Sequence, residues 1–249
     1  MKRISVFFAV VILVLFCTMC NVAFAKKQKA PTTKHKIEFT TKDNFILVGD
    51  LYLANPATNK PLVVMLHSFG VSAKVWGNIA EELRQKGYNC LAMDIRGHGR
   101  SVYNDQLKLK SRYRFTANDW QKLPNDVIES INHIKSNYSK INTENFIFIG
   151  ADIGASAGLI AGNTLKNKPE KFVLISPMLN FKGLYIPIVA ANYTTTRFLV
   201  LLSKTDKILF NFYSHYDPII KIYPLGGPGN HLLRVNPDST SDIVDFVTK

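Results

Sequence analysis

Cysteine is scarce in this chain, with three in 249 residues. Two of them, Cys17 and Cys20, lie in an apolar N-terminal stretch with the marks of a removable leader. Without that stretch Cys90 stands alone, and no intrachain disulfide can form. Cys90 falls in the strand-like run Tyr88-Asn89-Cys90-Leu91-Ala92-Met93, where nothing nearby would stabilise a thiolate, so core packing is expected of it rather than redox or nucleophilic work. Negative charge is also short: 18 acidic residues face 31 Lys and Arg, giving a net charge of +13, of which Lys2 and Arg3 contribute two. Such a balance favours anionic surfaces, among them cell-envelope polymers. The basic runs Lys26-Lys27-Gln28-Lys29 and Lys108-Leu109-Lys110-Ser111-Arg112 match no nucleic-acid motif and read as solvated surface. Low-complexity tracts and internal repeats are absent. With 47% hydrophobic and 20% charged residues, the chain can bury a substantial core, which excludes a disordered protein.

The first 25 residues read as a secretory signal. Lys2 and Arg3 precede an apolar run from Ile4 through Met19, and Ala23-Phe24-Ala25 supplies the small-x-small cleavage pattern. Cleavage would release a secreted or periplasmic protein with no stable membrane span; the alternative, an uncleaved anchor, is barely allowed by the apolar length. A polar linker follows over 26–34, and a single domain is expected over 35–249.

Within that domain, Ile37 to Thr40 and Phe45 to Leu53 flank the turn-like Thr41-Lys42-Asp43-Asn44 and predict an antiparallel hairpin at a sheet edge. Leu62 to Leu66 is a continuous apolar run, as a strand buried on both faces requires. Further strands are predicted at Tyr88 to Met93, Phe146 to Ile149, Phe172 to Ile175, Phe198 to Leu202 and Ile219 to Ile222. Helical stretches fall at Ala73 to Gln85, Asp126 to Ile134, Ala155 to Leu165 and Ser241 to Val247. The alternation calls for an α/β fold with a mostly parallel sheet and helices on both faces.

The order and spacing of Leu66-His67-Ser68-Phe69-Gly70, Trp76 and Asp94-Ile95-Arg96-Gly97-His98-Gly99-Arg100-Ser101 resemble the α/β-hydrolase superfamily. The likeness is greatest to its lidless bacterial esterase and dienelactone-hydrolase-like branch. It runs from about Phe39 to the end, with Ser176-Pro177 as a further agreement and no room for a cap domain between Pro177 and Thr196. The resemblance implies that Phe69 or Ser68 lends a backbone N–H to an oxyanion hole. It makes His98 part of a structural turn and gives neither His98 nor His67 a catalytic role.

In this family a sharp strand-to-helix elbow, G-x-S-x-G, carries the nucleophile, and its glycines leave room for the bend. Here the chain reads Gly150-Ala151-Asp152-Ile153-Gly154, with Asp152 at the centre and Ile153 as the second oxyanion donor. Asp152 could instead be a plain helix N-cap. Gly154-Ala155-Ser156-Ala157-Gly158 matches the same pattern, but its register would put Ser156 about one turn into the helix. The resemblance also places an acid after the strand Phe198 to Leu202, where Asp206 fits, although a surface turn would look alike. It places a histidine after the last strand. His231 is the one histidine there, but the family's histidine-glycine pair would fall on Pro228-Gly229, and His231 stands open between catalysis and loop surface.

An aspartate at the elbow has two chemical readings. A carboxylate can attack an alkyl carbon to form an enzyme ester that activated water cleaves, as haloalkane dehalogenases and epoxide hydrolases do beneath a cap. Against an ester it is a poor nucleophile, because the product would be an anhydride. The expectation is a retained fold with impaired serine-hydrolase chemistry and a small-molecule substrate or ligand, with Asp-based hydrolysis as the alternative. Neither a cofactor nor a metal is expected.

Overall fold

The computed structural model describes residues 33–249. The expected leader over 1–25, and the linker over 26–34 up to residue 32, lie outside the described residues.

Among the described residues the chain forms a nine-stranded sheet ordered β1-β2-β4-β3-β6-β7-β10-β11, with the short β5 (Tyr103–Asn104) pairing to β2. The edge hairpin is β1 (Lys34–Thr40) and β2 (Phe45–Tyr52), and β2 also runs antiparallel to β4 (Cys90–Asp94). From there every neighbour is parallel: β3 (Pro61–Leu66), β6 (Asn142–Ala151), β7 (Lys171–Ile175), β10 (Arg197–Ser203) and β11 (Ile219–Tyr223). Leu62 to Leu66 is at most 2% exposed because β3 is covered on both faces. Alternate residues of the strand therefore serve different cores. Leu62, Val64 and Leu66 pack with α3 (Leu123–Asn137) and α4 (Ile153–Thr164), whereas Val63 and Met65 pack with α1 (Gly77–Gln85) and α8 (Asp238–Thr248). Those two layers are the helices expected on both faces.

The predicted elements are all present, with shifted ends. The stretch expected to be one helix over Ala73 to Gln85 begins with a 3-10 turn, Ala73–Trp76. The helix expected from Asp126 starts earlier, at Leu123, with Pro124 in its first turn, where the missing N–H costs nothing. The short α2 (Ala117–Gln121) opens on a reciprocal capping box between Thr116 and Asp119. Between β7 and β10 the chain makes only a two-stranded ribbon, β8 (Asn180–Phe181) with β9 (Leu184–Tyr185), and the one-turn α5 (Pro187–Ala190). Beyond β10 come α6 (Lys207–Tyr213) and α7 (Asn230–Val235), both outside the elements read from the sequence.

The Asp94–Ser101 turn is held by ion pairs and hydrogen bonds. The Asp94 carboxylate accepts from the Ala73 N–H at 2.7 Å and from Arg100 Nε at 2.7 Å, and Arg100 reaches on to Asp50 at 2.9 Å. Arg96 is buried between Asp126 and Asp43. His67 is enclosed, taking the Ile95 N–H on Nε2 at 3.1 Å, which leaves the Nδ1 proton for the Ser68 carbonyl at 2.8 Å. Burial holds both the His67 and the His98 imidazoles down at about 4. Both rings are structural, as the resemblance implied.

Candidate active site

The site begins where β6 hands over to α4. Asp152 sits between them at φ 53°, ψ −118°, a strained conformation for a residue with a side chain. The bend is possible because its flanks are bare. A Cβ on Gly154 would lie 2.4 Å from the Leu66 carbonyl oxygen, and one on Gly150 would lie 2.6 Å from the Ala155 Cα. The Asp152 N–H still donates to the Ile175 carbonyl at 3.0 Å, so the residue stays tied to the sheet while its side chain projects from the bend. Ser156 is fully buried inside α4 and donates to the Met178 carbonyl at 3.0 Å, a packing position one turn along the helix from the bend.

The Asp152 carboxylate is held asymmetrically. Oδ2 accepts the Phe69 N–H at 3.1 Å, whereas Oδ1 is buried with no hydrogen-bond partner among the described residues. Burial raises the acid above the ordinary carboxylate range, and the backbone N–H groups of Phe69 and Ile153 pull it back. Both expected oxyanion donors therefore face this side chain. Ser68, the other candidate donor, is engaged elsewhere: its N–H and its hydroxyl both donate to Asn230 Oδ1, at 2.8 and 3.0 Å. The Phe69 ring, half in solvent, meets His98, Trp120 and Phe181 at centroid distances of 5.4 to 5.8 Å.

Asp152 and Asp206 line one open cleft of about 810 Å³. Its other walls are apolar, chiefly Met178, Leu179, Ile208 and Leu209, with the hydroxyl-bearing Ser176, Ser203 and Thr205 and the cation Lys207 between them. Asp206 stands at the N-terminal boundary of α6, and its carboxylate turns back to the strand end, where Oδ2 accepts from the Ser203 N–H at 2.8 Å and the Ser203 hydroxyl at 2.9 Å.

His231 does not line this cleft, although its ring lies against Gly227, which does. It occupies the first turn of α7 with its ring exposed, its Nδ1 3.2 Å from the Gly226 carbonyl, and it lines a separate pocket with Val71, Val75 and Asn78. The reason is local. Asn230, one residue earlier on the helix, takes the inward position to clasp Ser68, and a helical neighbour must then point elsewhere. Pro228 is the residue of this loop that lines the cleft, beside Gly227. A Cβ on Gly229 would come within 3.0 Å of the Asp152 Cβ, so the Pro228-Gly229 pair abuts the elbow directly.

Sequence reasoning missed Asn230, the partner of Ser68, because a contact across 162 residues leaves no local trace. It also missed the aromatic group around Phe69. The Ser203 clasp of Asp206 did leave a signal, the Ser-x-x-Asp spacing. Among the described residues no group of three or more His, Cys, Asp or Glu is placed to hold a metal ion.

The family model described as Hydrolase_4, serine aminopeptidase, S33, matches residues 57–224. The abhydrolase domain-containing protein abhd-5.2 of Caenorhabditis elegans is 23% identical over 190 residues, and this chain spans only 37% of its length. Among solved structures, the Pyrococcus furiosus esterase Pf2001 is similar with a TM-score of 0.62 at 20% identity, covering 86% of this chain and 91% of that one. A carboxyl esterase of Bacillus coagulans superposes with a TM-score of 0.64 at 9% identity, covering 87% of this chain and 98% of that one. Likeness at such identities shows a shared fold.

Proposed function

The chain belongs to the α/β-hydrolase superfamily, in the family described as serine aminopeptidase S33, and from that premise we propose that it is an exported, non-catalytic, ligand-binding member in which Asp152 stands where the family keeps its nucleophilic serine. The observation that carries this reading is the composition of the cleft. It contains two carboxylates, Asp152 and Asp206, and Pro228 at the point where the family's histidine would fall. A serine-type mechanism needs a general base within hydrogen-bond reach of its nucleophile. Here the nucleophile position holds a carboxylate, which gives an anhydride from an ester, and the sole nearby histidine of the loop faces another pocket. The Phe69 N–H, one of the two donors that would stabilise an oxyanion, is engaged with the resident Asp152. The short excursion between β7 and β10 supports placing the protein in the lidless branch. The leader pattern over 1–25 supports export, and the cleft's apolar walls suit a small amphipathic ligand.

A second reading has its own observation, the bare and desolvated Asp152 Oδ1. That oxygen can attack a saturated carbon as the carbon's bond to a halide breaks and the halide leaves with the electron pair. The ester so formed would keep its carbonyl oxygen on the Phe69 N–H. Its hydrolysis needs a deprotonated water, and the cleft supplies no histidine to make one, so the reaction would stop after a single event.

Both readings are tested by incubating the protein with aryl esters, epoxides and haloalkanes, following turnover and the intact mass. The expected result is no turnover on any of them. Turnover abolished in Asp152→Asn would overturn the non-catalytic reading. A single mass addition mapping to Asp152, without turnover, would establish the second.

A further inference from the structure

After the Asp94–Ser101 turn the chain leaves the sheet as a small hairpin. Its first arm, β5 (Tyr103–Asn104), pairs with Phe45 and Ile46 of β2. Tyr103 bridges Leu109, the Asn104 N–H donates to the Lys108 carbonyl at 3.2 Å, and the Lys110 N–H donates to the Val102 carbonyl at 2.7 Å. The hairpin is therefore a built element.

Its outer surface is apolar where a soluble turn would be polar. Leu107, at the tip, is 73% exposed, Leu109 is 60% exposed, and Tyr113, just beyond, is 79% exposed. Leu107 also has φ 56°, a left-handed backbone that glycine or asparagine tolerates far better than leucine. Nothing within the described chain rewards a leucine there. Interleaved with these side chains are Lys108, Lys110 and Arg114, all exposed and none within ion-pair distance of a carboxylate among the described residues. Asp105 is the one acidic residue between Tyr103 and Arg114.

We propose that the Tyr103–Arg114 hairpin is a docking surface for an anionic lipid bilayer. Exposed leucine and tyrosine with lysine and arginine alternating between them is the composition of a segment that lies in the headgroup layer. The apolar side chains enter the acyl boundary and the cations meet lipid phosphates. A hydrophilic polyanion would use the cations and leave Leu107 and Leu109 in water. A second copy of this chain would set Lys108, Lys110 and Arg114 against their own equivalents. The root of the hairpin reaches the site, since the Arg112 guanidinium lies 5.6 Å from the centroid of the Phe69 ring, whose backbone N–H holds Asp152. The docking surface is independent of whether the cleft catalyses anything.

The test uses the full chain, with phosphatidylcholine vesicles prepared with and without phosphatidylglycerol. The apolar N-terminal residues could also hold the chain to vesicles, so the readout is placed on the hairpin. Trp76 and Trp120 are buried, at 0% and 3% exposure, and a tryptophan introduced by Leu109→Trp reports its own surroundings as the difference from the unsubstituted chain. Its emission is expected to shift to the blue and to be quenched by bromolipids only when phosphatidylglycerol is present. Made together with Leu109→Trp, the combined change Lys108→Gln, Lys110→Gln and Arg114→Gln should weaken partitioning of the hairpin into those vesicles, read from the emission shift, roughly a hundredfold, at about fivefold per charge. Circular dichroism checks that the variants fold. Unmoved emission, or partitioning unaltered by the triple change, would overturn the proposal. So would self-association in solution that the same changes abolish, or retention on an anionic polymer without any vesicle response.

Discussion

The two turns at the carboxyl ends of β4 and β6 differ in what holds their residues in place. In the first, Asp94 and Arg96 are buried and Arg100 half-buried, each against named partners, and every one has the residue type that the family pattern leads one to expect. In the second, the glycines flanking Asp152 also fit the pattern, because any Cβ there would strike backbone. On the proposed reading, the residues whose family role is chemical rather than steric are the ones that depart from it. Asp152 stands at the elbow, Pro228 lines the cleft, and His231 faces away. On the reading proposed above, the packing demands of the fold are kept, and of the groups serine chemistry needs only Asp206 and the backbone donors remain.

The widest contrast comes from breaking the first turn. Arg96→Met leaves Asp126 buried with no counter-charge, and should cost about 3–5 kcal/mol in urea unfolding. Next in size, residue for residue, is a pH effect on the same region. The His67 and His98 rings, held at about 4 by burial, stay neutral in the folded protein, while the unfolded chain takes up protons near 6.5. Their contribution is fully present above pH 6.5 and is lost as pH falls toward 4. The expected loss is on the order of 3 kcal/mol for each ring, read as a falling urea midpoint, with imidazole NMR showing neutral rings in the folded state at pH 5.5.

At the elbow the effects should be smaller. Ser68→Ala removes the hydroxyl clasp on Asn230 and should cost about 1–2 kcal/mol. Asp152→Asn can still accept the Phe69 N–H and removes a desolvated charge, so stability at neutral pH should change by less than about 1 kcal/mol. The sign follows from the raised acid. Burial favours its protonated form, so Asp152 contributes most at low pH and that contribution is lost as pH rises through its folded value. The Asn variant should therefore gain relative to wild type on going from pH 4 to pH 7, and a relative loss would show the carboxylate to be better solvated than the structure has it.

Much of this was legible in the residues themselves. The apolar run Leu62 to Leu66 could only be a strand buried on both faces, and Gly150-x-Asp152-x-Gly154 marked the bend in the correct register against the decoy at Ser156. Strand positions were legible because burial dictates their composition. What stayed hidden depends on side chains meeting across long stretches of sequence. Whether residue 230 or residue 231 turns inward on α7 is decided by Ser68, at the far end of the chain. The hairpin at Tyr103–Arg114 was hidden for a different reason: its apolar side chains point outward, so the rule that maps hydrophobic runs to buried strands does not reach it.

The missing base in the cleft is the central claim, and esterase activity of rebuilt variants tests it directly. With an aryl ester, wild type and Asp152→Ser should both be inactive, while Asp152→Ser combined with Pro228→His should acquire turnover, because on the proposed reading Asp206 and the Phe69 and Ile153 donors supply the rest of the machinery. Turnover by Asp152→Ser alone, lost on His231→Ala, would contradict it by showing that His231 reaches the elbow after all.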